Sequence, residues 1–198
     1  MAIFPSLSDD PQLGELFKRF PRTVPPLLDY HDRLLRDRSP LTVATRELIA
    51  AYVSGLNACD YCHGAHIIAA RNFGVDEELF GKLLADIDSA PVEDRLKPIL
   101  RYVRKLTLTP SRIAPSDAEA VYAAGWDEEA LFDAVSVAAL FNMMNRIVMG
   151  AGILHDPLAD TSGDRAARAS RMGEAGEDPH SASPSYARLA RAYGIGGE

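Results

Sequence analysis

The sequence predicts an all-α fold: a helical domain built on a helical hairpin core, with an extended C-terminal arm. Three observations lead there. Apolar residues recur at helical spacing nearly everywhere, and no segment alternates as a half-buried strand does. The almost wholly apolar run Leu48 to Val53 is followed by a turn signal at Gly55 to Asn57 and then by a second helical run. Residues 156–183 are rich in Asp, Gly, Ser, Ala and Pro, without a sustained apolar face. With 198 residues, 47% of them hydrophobic, the chain can build one substantial core. The expected division is a helical domain over residues 1–155 and an arm over 156–198 that ends in a short helix.

Taken in order, Asp10 and Pro11 can open a short helix through Phe20, and Pro21, Pro25 and Pro26 interrupt before a segment over about Leu27 to Arg36. Ser39-Pro40 is a helix start, with serine as cap and proline in the first turn, for a helix over about Leu41 to Ser54. Gly55 is its stop. Asn57 then restarts the pattern, with Asp60 three residues on as the acid of a capping box, for a helix that runs through His66 to Asn72 and stops at Gly74. Asp76 caps the next helix, with Val75 and Phe80 at staple spacing. A longer helix spans about Val92 to Leu108, with Pro98 as an irregularity. Another covers about Ser116 to Ala124 and ends at Gly125. Trp126-Asp127 opens the longest apolar helix, through about Met149. At the end, Ser185 to Tyr193 can form a short helix that docks by Tyr186, Leu189 and Tyr193; an arm with an apolar tip suits wrapping around a neighbouring subunit, and a flexible tail is the plain alternative.

Lys and Arg number 21 against 28 Asp and Glu, a net charge of -7 that gives no electrostatic footprint for nucleic acid. No apolar run reaches the roughly 18 residues of a membrane span, and MAIFPSLSDD lacks the basic-then-apolar pattern of a signal peptide. The expected location is cytoplasmic, with no membrane partner. No phosphate loop or dinucleotide fingerprint is present, so no nucleotide or flavin cofactor is expected.

The only two cysteines are Cys59 and Cys62, followed by His66, with Glu47 twelve residues before the first thiol. Spacings of three and four put Cys59, Cys62 and His66 on one side of one helix. A thiol near a helix N-terminus meets unpaired N–H groups and the positive end of the dipole, which favour the thiolate. The same spacing lets the sulfurs close a disulfide. Cys62, next to His66, is the expected attacking thiol that becomes a sulfenic acid, and Cys59 resolves it; the opposite order stays open, because low pKa in such motifs often belongs to the first cysteine. Glu47, at the border of a buried segment, needs a partner, and orienting His66 or relaying its proton meets that need. Pairing with Arg46 or another surface base is its plain alternative. His63 points about 100° away and reads as a surface or interface residue. Asn142, Asn145 and Arg146 interrupt the longest helix and suit a buried network, a subunit contact or the far wall of a pocket.

A zinc site of two thiolates, an imidazole and a carboxylate is a rival, weakened by the lack of a second ligand pair. A protein thiol–disulfide oxidoreductase is another, although its motif commonly follows a strand. A non-catalytic helical scaffold is the third.

Glu47 with Cys59-Asp60-Tyr61-Cys62-His63-Gly64-Ala65-His66 resembles the core of the AhpD-like alkylhydroperoxidases in the carboxymuconolactone decarboxylase superfamily. The length, the Phe141 to Gly150 segment and the arm look most like its peroxidase-related branch. The resemblance implies Cys62 as the thiol forming the sulfenic acid, Cys59 as resolving partner and proton donor, and Glu47 and His66 as proton relay. It implies reduction of organic hydroperoxides or hydrogen peroxide, a thiol or dithiol reductant such as a thioredoxin-like or lipoyl protein, no cofactor or metal, and a homo-oligomer (dimer, trimer or hexamer). Tyr61 stands where the best-known alkylhydroperoxidases carry a relay histidine. Lactone decarboxylase members lack the dithiol, which makes their activity the alternative.

Overall fold

The computed structural model describes residues 3–158, 164–173 and 175–195. Among them are ten α-helices and no strand: α1 (Leu13–Arg19), α2 (Val24–Leu35), α3 (Val43–Leu56), α4 (Asp60–Asn72), α5 (Glu78–Ala85), α6 (Lys97–Leu108), α7 (Pro115–Ala123), α8 (Glu128–Gly150), α9 (Asp164–Arg171) and α10 (Tyr186–Ala192).

Several boundaries differ from the sequence expectation for one reason: proline both ends helices and starts them. Pro25 and Pro26 sit in the first turn of α2, and Pro98 in the first turn of α6, so neither helix is broken by them. For α3 the cap is Thr42, whose Oγ1 accepts from the Thr45 N–H at 3.1 Å. Ser39 instead donates to Asp133 and accepts from the Leu41 N–H. Asp127 caps α8 as expected, accepting from the Ala130 N–H at 2.8 Å.

The centre is the hairpin of α3 and α4. Its register shows in three contacts: Glu47 with His66, the Ala51 carbonyl with His63, and the Ser54 carbonyl with the Cys59 N–H. The residue numbers in each pair sum to nearly the same value, as two antiparallel helices joined by a tight turn require. Ala50 to Val53 are fully buried between the neighbouring helices. Helix α8 crosses the hairpin, bringing Phe141 to His66 and Asn145 to Ser54. By length and composition α8 could cross a membrane, but about 56% of that stretch is buried, with Ala134, Val137, Ala138 and Phe141 in the core.

The C-terminal arm runs back over this domain. Residues 159–163, 174 and 196–198 of it lie outside the described residues. It carries α9, which the sequence did not suggest because Asp-Arg-Ala-Ala-Arg-Ala-Ser-Arg has no apolar stripe. Asn72 of α4 holds the end of α9, donating to the carbonyls of Ala169 and Gly173. The expected terminal helix is α10, seated on α2 of the same chain with Tyr186 and Ala190 buried.

Candidate active site

Cys59 is the N-cap of α4 and Cys62 lies three residues on, so the thiols bracket the first turn. The expected Asn57 cap is not formed. Ala58 takes a left-handed conformation (φ 52°), α3 ends at Asn57, and the Asn57 amide donates to Asn142 Oδ1 (3.1 Å) and Asn145 Oδ1 (2.8 Å). Asn145, fully buried, in turn donates to Ser54 Oγ at 3.0 Å. This network fixes the turn that presents the thiols, so Asn142 and Asn145 form a buried polar network and do not line the cavity that Cys62 and His66 share.

Both cysteines are unpaired thiols, 2% and 4% exposed. They hydrogen-bond to each other through the one thiol proton that lies between them. The Cys62 side chain, donating, lowers the Cys59 pKa to about 7 against the opposing effect of burial, with further help from the Cys62 backbone and Asn145. Cys62 is pushed up, first by that same hydrogen bond and then by burial. The first ionisation therefore leaves charge on Cys59 and a proton on Cys62.

His66 Nδ1 lies 2.6 Å from Glu47 Oε2, and the His66 ring meets Phe141 edge-on at 4.3 Å. A carboxylate accepts from Nδ1–H, which leaves Nε2 to exchange protons. The other Glu47 oxygen stands 2.6 Å from Arg36 Nη1, and neither side chain reaches solvent. Burial alone would raise Glu47; the charge of Arg36, then that of His66 and the hydrogen bonds from both, hold it at about 2. Arg46 is not its partner. That guanidinium donates to the carbonyls of Leu34, Asp37 and His180 and ties α3 to the α2 terminus and the arm.

Cys62 and His66 line one cavity of about 250 Å³. Tyr61, His31, Phe141 and Met144 share its wall, and the arm closes it with Tyr186, Leu189 and Tyr193. Cys59 is not among the lining residues. Tyr61 is buried with its ring edge-on to His155. His63 is partly buried: its Nδ1 donates to the Ala51 carbonyl (2.8 Å) and its ring meets Phe80, so it joins α4 to α3 and α5. Among the described residues no group of three or more His, Cys, Asp or Glu is arranged to hold a metal ion.

Sequence reasoning thus brought Glu47, Cys59, Cys62 and His66 to one place. It missed Arg36, His31 and the cavity-facing role of Tyr186. Burial of Glu47 demanded a cation, but nothing local distinguished Arg36 from Arg33 or Arg38.

The all-helical domain that carries this site has known relatives. Residues 21–92 match the carboxymuconolactone decarboxylase family, and the chain belongs to that family. It is 30% identical over 115 residues to the uncharacterized protein YdfG of Bacillus subtilis (strain 168), covering 58% of this chain and 78% of that one. The crystal structure of an uncharacterized peroxidase-related protein from Silicibacter sp. TM1040 superposes with a TM-score of 0.66 at 26% identity, covering 71% of this chain and 73% of that one. A second crystal structure, an alkylhydroperoxidase AhpD core from Ralstonia eutropha JMP134 likewise described as peroxidase-related, agrees in fold (TM-score 0.66, 24% identity, 70% and 73% covered).

Proposed function

We propose that the protein is a thiol-dependent peroxidase that reduces organic hydroperoxides or hydrogen peroxide through a Cys59/Cys62 dithiol–disulfide cycle, with Glu47 and His66 as proton relay. One observation carries this reading: Cys62 and His66 line the same cavity while buried Glu47 holds the His66 Nδ1, leaving Nε2 to move protons. The peroxidase-related relatives agree with it.

In the cycle the shared proton crosses to Cys59, and the Cys62 thiolate attacks the terminal oxygen of the hydroperoxide. The O–O bond breaks, Cys62 becomes a sulfenic acid, and the departing alkoxide takes the proton from Cys59 to leave as the alcohol. The Cys59 thiolate then attacks the Cys62 sulfur, forming the disulfide, and hydroxide leaves with a proton from His66 as water. A dithiol donor, thioredoxin-like or lipoyl-bearing, returns two electrons and two protons. We further propose a cytoplasmic homo-oligomer. Met143 and Ile147, one turn apart on α8 and exposed, suit a contact between subunits.

A second reading exchanges the two thiols. The lowered Cys59 pKa favours it, and the position of Cys62 on the cavity wall favours the first. Reduced protein is mixed with cumene hydroperoxide in a coupled assay, with Cys59→Ser and Cys62→Ser compared and the sulfenic acid trapped. Trapping on Cys62 in Cys59→Ser supports the first order; trapping on Cys59 in Cys62→Ser with full initial reactivity supports the second. Peroxide loss unaffected by either substitution refutes both.

A further inference from the structure

We propose that Tyr186, carried on α10 of the C-terminal arm, donates a hydrogen bond to the leaving oxygen of the hydroperoxide, so that the arm supplies a catalytic group to the dithiol site. The inference rests on the peroxidase reading above and adds a residue far outside the Glu47 to His66 motif.

Tyr186 is 5% exposed, and its hydroxyl has no hydrogen-bond partner among the described residues. A buried polar group left unpaired costs on the order of 1–3 kcal/mol, and a phenylalanine would avoid that cost. The hydroxyl is not in a remote part of the core. Tyr186 forms the cavity wall with Cys62 and His66, and its ionisation is felt by Glu47, Arg36, Asp32 and Cys62. Burial first, and the negative groups after it, push the phenol well above its ordinary pKa, so it stays an O–H donor throughout the working range.

The ring is held in place from several sides. Asp32 of α2 accepts the N–H groups of Ser185 and Tyr186 at Oδ1 and of Ala187 at Oδ2, all within 2.9 Å. Arg36 donates from Nε to Ser185 Oγ, and its guanidinium carbon lies 5.3 Å from the Tyr186 ring centre. On another side the His31 ring is 4.8 Å away. The same Arg36 pairs with Glu47, so one guanidinium positions both the relay carboxylate and the tyrosine.

The chemistry needs such a donor. When the Cys62 thiolate attacks the terminal oxygen, the O–O bonding pair moves to the inner oxygen, which departs as an alkoxide. Sulfur is oxidised by two electrons and the peroxide reduced by two. The proton that completes the alcohol is the one passed from Cys62 to Cys59 before attack. Tyr186 stabilises the developing charge and ends the step still protonated.

The test is Tyr186→Phe, which keeps the ring between Arg36 and His31 and removes only the hydroxyl. The reduced variant reacts with cumene hydroperoxide more slowly by on the order of 10- to 100-fold in stopped flow. Alkylation of the same thiols by iodoacetamide, whose leaving iodide needs no such donor, keeps its wild-type rate and pH profile, and Tm does not fall. The slowing shrinks with a peracid, whose carboxylate leaves without help. An unchanged peroxide rate overturns the inference, and so does an equal slowing of peroxide and iodoacetamide reactions, which marks a purely structural residue. Wild-type protein inert to peroxide overturns the peroxidase reading itself, a result visible before the variant is made.

Discussion

Arg36 Nη1 and Glu47 Oε1 meet at 2.6 Å with both side chains wholly removed from solvent, while the second oxygen of the same carboxylate holds His66. The pair sets a charge balance that the dithiol site depends on. Removing either partner alone leaves a buried charge uncompensated, which is far worse than removing both.

Arg36→Met is therefore expected to lose about 3–5 kcal/mol of stability in urea denaturation. Arg36→Met combined with Glu47→Gln is expected to be more stable than Arg36→Met alone, because no orphan charge remains. A double variant as weak as the sum of the singles would show that the two residues act separately.

Acid stability follows from two depressed pKa values. His31 is lowered to about 4, chiefly by burial, so as pH falls below 6.5 the unfolded chain binds a proton that the folded one refuses. The stability this gives is complete above pH 6.5 and fades toward pH 4, by about 3 kcal/mol at most. Glu47, held at about 2 against an ordinary 4.5, adds a second loss between those values. His31→Gln is expected to flatten the stability curve between pH 6.5 and 4 while keeping the steeper fall below. Equilibrium denaturation across that range reads both.

Titration of the thiols separates their roles. Thiolate absorbance is expected to rise for one group with a midpoint near pH 7, and the second stays protonated through the alkaline range. Cys62→Ala removes the S–H that lowers Cys59. Its midpoint should then climb to the ordinary value of 9 or beyond, since burial remains. Cys59→Ala should bring Cys62 down, because the partner that raises it most is gone.

Much of this site was legible because its chemistry is local. Cys59, Cys62 and His66 share one helix, and helical phase alone puts them together; Glu47 is one hairpin away, and the apolar run after it fixed its burial. Arg36 and Tyr186 were not legible for the opposite reason. They come from the C-terminal cap of α2 and from α10, 149 residues apart by the Arg36 to Ser185 contact, and meet where Asp32 captures the start of α10. The prolines misled through their double role: whether Pro25 ends one helix or begins the next depends on which neighbour packs against Val24 and Leu28, and a local pattern does not contain that. The contacts of His63 were not legible because helical phase gives direction but not what lies there, in this case the Ala51 carbonyl and Phe80.

Asn145 offers the sharpest test of how the fold tunes the thiols. Its amide lowers both cysteines by hydrogen bonding, and it is braced by Ser54 and Asn57 with no access to solvent. Asn145→Ala should raise the Cys59 midpoint and slow peroxide reduction at pH 7, with recovery of the rate at higher pH. Its cost in stability should stay near the low end of about 1–3 kcal/mol, because Ser54 keeps the Ala50 carbonyl and Asn57 keeps Asn142. Asn145→Asp keeps the shape but puts a carboxylate against the incipient thiolate, so its midpoint should rise further than that of the alanine variant. If both substitutions left the thiol titration where it is, the lowered pKa would have to come from the cysteine pair and the helix start alone.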